Sequence, residues 1–128
     1  MSVRIDSFDD EPTTGGGYER LVVVPLIAAD GIARRIVMRF RGRPLKRVSV
    51  VLEEMRSGER GVLMRYDDSH NRFHHHAPGW PEPGERIESA VDADVPLRDR
   101  AAFAQRAIRA QYASWEAEVF GQKGGDQV

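Results

Sequence analysis

The chain has 128 residues, of which 41% are hydrophobic and 30% charged, proportions that fit one globular domain with a real core. It contains no cysteine, which excludes a disulfide framework and any thiolate metal site. The longest apolar run, Leu21 to Ala29, is too short for a membrane span. The acidic N-terminus lacks the apolar core of a secretory signal, so a cytoplasmic protein that engages no membrane is expected.

The net charge of −1 hides an uneven distribution. Between Arg34 and Arg65 ten bases stand against three acids, a local excess of +7. Such a segment either forms a positive surface that attracts phosphate or consists of strand arginines paired with acids elsewhere.

In chain order, residues 1–17 ("MSVRIDSFDDEPTTGGG") carry charge and turn formers but little to bury. They read as a flexible tail. A single α+β domain is expected over 18–121, with residues 122–128 a second flexible end. "YERLVVVPLIA" (18–28) is a strand by composition, and Pro25 argues for a sheet edge or a bulge. "ADG" (29–31) signals a hairpin turn. In "IARRIVMRFR" (32–41), Ile36, Met38 and Phe40 alternate with Arg35, Arg39 and Arg41. That is the pattern of a half-buried antiparallel strand. "LKRVSVVLEEM" (45–55) repeats it, with Val48, Val50 and Leu52 opposite Arg47, Ser49 and Glu53. "RSGER" (56–60) should close a hairpin onto "GVLMRYD" (61–67), where Val62, Met64 and Tyr66 alternate with Leu63, Arg65 and Asp67. A short strand is expected at "RFHHH" and another at "RIESAV" (86–91).

The C-terminal stretch repeats Leu97, Ala101, Ala104, Ile108, Tyr112, Trp115 and Val119 at spacings of four and three, a helical apolar stripe. Asp92 or Asp94 would cap its start, and Gly121 would end it. The expected fold is a meandering antiparallel β-sheet with one long C-terminal helix packed on one face. The other face would be free and basic, with Arg35, Arg39, Arg41 and Arg47 available to nucleic acid.

All four histidines, His70, His74, His75 and His76, fall within seven residues. On a strand, His74 and His76 project together while His75 opposes them. One reading is metal-free RNA cleavage, in which histidines act as acid and base and Arg65 or Arg72 steadies the phosphate. Tyr66 would orient a base or stack on one. A second reading is a metal site drawn from Asp67, His70, His74 and His76. A third is a polar loop with no special chemistry.

The order of these features, a strand ending "RYD", then "SHNRFHHH", a Pro/Gly loop and a helix carrying "AIRAQYASWEAEVF", resembles the TumE-like toxins of bacterial toxin–antitoxin pairs. It is also similar to related small proteins with a Tyr-Asp…His…His-x-His segment. The resemblance spans about Arg34 to Phe120, and the matching positions are Tyr66, Asp67, His70, His74 and His76. It implies a toxin acting on RNA or translation, with a cognate antitoxin protein as partner. The acidic tail and the long "APGWPEPGERIESAVDADVP" connection depart from that pattern. A divalent metal, self-association and a non-catalytic, partner-binding role all stay open at this point.

Overall fold

The computed structural model describes residues 19–26, 32–68, 72–88 and 90–112. The expected tails at 1–17 and 122–128, the turn at 29–31, His70 and the Trp115 end of the helix lie outside these residues. The described chain forms a six-stranded antiparallel sheet in strict sequence order: β1 (Glu19–Leu26), β2 (Arg34–Arg41), β3 (Arg47–Arg56), β4 (Glu59–Asp67), β5 (His74–His76) and β6 (Ile87–Glu88). Two 3₁₀ turns follow, Ala90–Asp94 and Leu97–Asp99, and lead into a helix, α1, described over 100–112. The α+β architecture is the one the periodicities predict. Among the described residues no helix is long and apolar enough to cross a membrane.

The tight turns follow from their residues. Ser57 and Gly58 both have positive φ (50° and 80°), the geometry that a two-residue hairpin turn requires. Gly42 also sits at positive φ, and a Cβ there would stand 2.9 Å from the Pro44 carbonyl oxygen. Among the described residues β1 pairs only with β2, an edge position where proline is tolerated.

One face of the sheet carries Ile36, Met38, Val48, Val50, Leu52, Met64 and Tyr66, and packs with Ala104, Ile108 and Tyr112 of α1 and with Phe73. The alternation expected for β4 breaks at one point. The β3/β4 register shifts between Leu52 and Glu53, so Val62 pairs with Glu53 while Met64 pairs with Leu52. Leu63 is the extra, buried residue of this bulge. Hence Val62 and Met64 do not share a face. Gly61 lies directly under the Trp80 ring, where a Cβ would come within 2.4 Å of it.

The opposite face is less free than expected. Arg35 is buried and donates from Nε to Glu53 at 2.7 Å, and Val37 beside it is fully buried. Arg35 is therefore withdrawn from any nucleic-acid surface. On the helix face Arg34 donates to Glu54 at 2.5 Å and to the Tyr112 hydroxyl at 2.9 Å. Arg56 donates to the second Glu54 oxygen and lies 4.3 Å over the Trp80 ring. Glu54, fully buried, thus pairs with two arginines that flank the sheet–helix seam.

Removing one partner of a buried pair leaves an uncompensated charge, which costs about 3–5 kcal/mol. Glu54→Ala should lose that much in urea-induced unfolding. A loss under about 1 kcal/mol, the level of an exposed pair, would contradict the buried placement.

Candidate functional site

β4 runs out at Asp67 and the chain returns antiparallel as β5, with Tyr66 opposite His75 and Asp67 opposite His74. Phe73, fully buried in the core, fixes the residue before β5. Because cross-strand partners point to the same side, Asp67, His74 and His76 gather on the arginine-bearing face. Tyr66 and His75 go to the helix face.

The His74 ring donates from Nδ1 to the Arg72 carbonyl oxygen at 2.9 Å, and His76 donates from Nδ1 to that of Gly84 at 3.1 Å. A carbonyl oxygen only accepts, so each Nδ1 carries a proton and each ring turns its Nε2 inward. His74 Nε2 lies 3.1 Å from His76 Nε2 and 3.2 Å from Asp67 Oδ1. All three donor atoms fall within 4.8 Å of one another. Histidines working as acid and base on opposite sides of one phosphorus must straddle it. Two nitrogens in mutual contact leave no room for a phosphate between them, so His74 and His76 act as one unit.

The other predicted residues distribute unevenly. Arg72 serves the cluster through its carbonyl oxygen, and its exposed side chain does not touch it. Arg65 lies on β4 opposite Val51, and no hydrogen bond or ion pair among the described residues joins its guanidinium to the cluster. Tyr66 is in the core, stacked on His75 with ring centroids 4.7 Å apart. It takes no part in the site. His70 lies outside the described residues, so the cluster here comprises Asp67, His74 and His76.

A cavity of about 260 Å³ adjoins the cluster, lined by Glu19, Arg39, Arg41, Arg47, Val48, Ser49, Asp67 and Asp68. Arg41 and Arg47 are direct cross-strand partners, an arrangement of like charges that is unfavourable unless an anion offsets it. Glu19 approaches Arg39 and Arg41 at 3.7 and 3.5 Å. Arg47 makes no ion pair among the described residues and is exposed. Asp67 belongs to both the cavity wall and the histidine cluster.

Two supports could not be read from the sequence. Asp68 accepts from the Val48 backbone N–H at 2.9 Å and from Arg100 Nη1 at 3.3 Å. Arg100 also lies 5.3 Å over the Phe73 ring. This clamp fixes the end of β4 to the start of β3 and to α1. Asp92, expected as a helix cap, instead accepts from His75 Nδ1, and Glu88 lies 3.5 Å from His75 Nε2. The adjacency of Asp68 to Asp67 was the one visible signal, but its partners are 20 and 32 residues away.

No protein-family model, curated protein or solved structure matches the chain.

Burial pushes the Tyr66 phenol up to about 12, with Asp92 and Glu88 adding to the shift. An unfolded tyrosine releases its proton near pH 10. The folded state therefore holds a proton that the unfolded state gives up between these values. Stability is intact below pH 10 and falls as pH rises towards 12. In denaturation series across this window the wild type should lose up to about 3 kcal/mol relative to Tyr66→Phe. Identical pH dependence in the two proteins would contradict a buried phenol.

Proposed function

We propose that the protein cleaves RNA, holding the phosphate on Arg39, Arg41 and Arg47 and activating the attacking oxygen at the Asp67–His74–His76 cluster. The observation that supports this reading is Asp67, a shared wall between an arginine-lined cavity and two convergent imidazoles. Guanidinium groups offer paired donors to phosphate oxygens and stabilise the charge that builds as phosphorus is attacked. The acids of the cavity have their own assignments: Glu19 faces Arg39 and Arg41, and Asp68 faces Val48 and Arg100. Arg47 and the exposed parts of Arg39 and Arg41 remain for a ligand.

In the reaction the RNA 2′-hydroxyl gives up its proton to water held at the cluster as its oxygen bonds to phosphorus. The bond from phosphorus to the 5′-oxygen breaks, and the departing 5′-oxygen takes a proton from water. The choice of RNA, and of a toxin role with an antitoxin protein as partner, rests on the resemblance of the "RYD…HNRFHHH" segment. Expression without a partner should then arrest bacterial growth.

Asp67→Asn and His76→Ala should each lower RNA cleavage by about 10²–10⁴-fold, the range for a group that handles protons in the transition state. Arg47→Ala should weaken RNA binding and reduce the salt dependence of log K by about one unit, as for one lost phosphate contact. Full cleavage or growth arrest by Asp67→Asn and His76→Ala would overturn the assignment. RNA binding without cleavage by the wild type would favour a non-catalytic binding protein.

A further inference from the structure

The geometry points to Asp67, His74 and His76 as a mononuclear centre for a first-row divalent metal ion of the zinc class, bound through Asp67 Oδ1, His74 Nε2 and His76 Nε2. The inference extends the proposed RNA site by naming its cofactor, but its evidence is independent of the substrate.

Three observations carry it. The first is the tautomer. With both Nδ1 atoms donating to backbone carbonyls, the two rings turn their Nε2 atoms toward each other across 3.1 Å, beside a carboxylate oxygen 3.2 Å from one of them. A cation among these three atoms would meet two imidazole Nε2 atoms and one carboxylate oxygen. Histidines that ligate metals characteristically donate the other ring N–H to a carbonyl or carboxylate, and both rings do so here.

The second is distance. Ligand atoms arranged tetrahedrally at about 2.0–2.1 Å from zinc stand roughly 3.3 Å from one another. The two shortest donor separations in the cluster, 3.1 and 3.2 Å, are close to this spacing. The third separation lies within 4.8 Å and needs only a modest turn of the half-buried Asp67 or His76 side chain to close.

The third is the donor set. Two imidazoles and one carboxylate suit zinc and its first-row neighbours, whereas magnesium and calcium prefer all-oxygen shells. Three protein ligands are the number found in catalytic zinc sites, which leave a position for water or substrate. A bound ion would supply Lewis acidity to an oxygen ligand. Asp67 is also a wall of the arginine cavity, so an ion held by it would lie beside that cavity.

The rival arrangement is a single added proton shared by the same three atoms, and metal titration separates the two. The full chain, stripped with chelator, should bind one equivalent of Zn²⁺ by calorimetry and show Co²⁺ absorption bands typical of low coordination number. Mg²⁺ should not compete. Zn²⁺ should also raise the melting temperature. Asp67→Asn and His76→Ala should each weaken Zn²⁺ binding by at least the about 10–100-fold that follows loss of an outer-shell partner. Arg98→Ala, at an exposed residue outside the cluster, should bind as the wild type does. Because His74 is almost wholly buried, the Asp67 and His76 variants carry the test, with circular dichroism to show that they fold.

A wild-type chain that takes up neither Zn²⁺ nor Co²⁺, or folded Asp67 and His76 variants that bind as tightly as wild type, would overturn the centre. Stoichiometric binding without RNA cleavage would leave the metal site standing and remove the RNA reading. Undiminished RNA cleavage by metal-free protein in chelator would leave the RNA reading standing and overturn the ion as its cofactor.

Discussion

The candidate site depends on the register of a two-residue pairing, Tyr66 with His75 and Asp67 with His74. In a strand the side-chain period is two, so a slip by one residue would exchange the faces. His75 would then join Asp67, while His74 and His76 would turn into the core. So short a strand cannot hold its register by ladder hydrogen bonds alone. Contacts on the helix face hold it instead. Phe73 fills the core on one flank of β5. His75 is fastened between Asp92 and Glu88 and stacked on Tyr66. The Asp68–Arg100 clamp ties the end of β4 to the helix. His75, which a reading of side-chain alternation alone leaves without a task, is thus a register pin for its two neighbours.

A second register event lies upstream. At the start of β4, Gly61 pairs with Glu54 and Val62 with Glu53; after the bulge, Met64 pairs with Leu52 and Arg65 with Val51. The inserted Leu63 reverses which residues of β4 meet the helix face. Without it Tyr66 would lie beside the arginines and Asp67 would be buried among Val50, Phe73 and the helix. Bulges often re-aim side chains near functional sites. Here the bulge turns the "RYD" segment so that its carboxylate reaches the histidines and its phenol fills the core.

Much of this could be read from the residues. The strands of β2 and β3 announce themselves by alternation, the Ser57–Gly58 turn by its composition, and α1 by the spacing of Ala104, Ile108 and Tyr112. The convergence of His74 and His76 follows from the period of a strand. What stayed hidden depended on partners far apart in sequence. The bulge places Val62 and Met64 on different faces although their parity is the same. Asp92 has the position of a helix cap, but a histidine 17 residues earlier claims its carboxylate. Arg35 has the parity of a surface residue, yet Glu53, directly opposite through the β2/β3 register, draws it into an ion pair.

That last pairing explains how the basic segment divides its charge. At one end of the sheet Arg34, Arg35 and Arg56 are matched by Glu53 and Glu54, so their charge serves the fold. At the other end, where β2 turns into β3, Arg41 faces Arg47 and Arg39 faces Ser49. Glu19 on the neighbouring edge strand offsets them only at 3.5–3.7 Å. Local rules of strand pairing are obeyed at the first end and broken at the second. Sequences that fold well tend to concentrate such violations at functional sites. This violation coincides with the end of the sheet where β4 delivers Asp67 and β5 delivers two imidazoles. An anion that relieves the repulsion between Arg41 and Arg47 would therefore lie beside the proposed metal ligands.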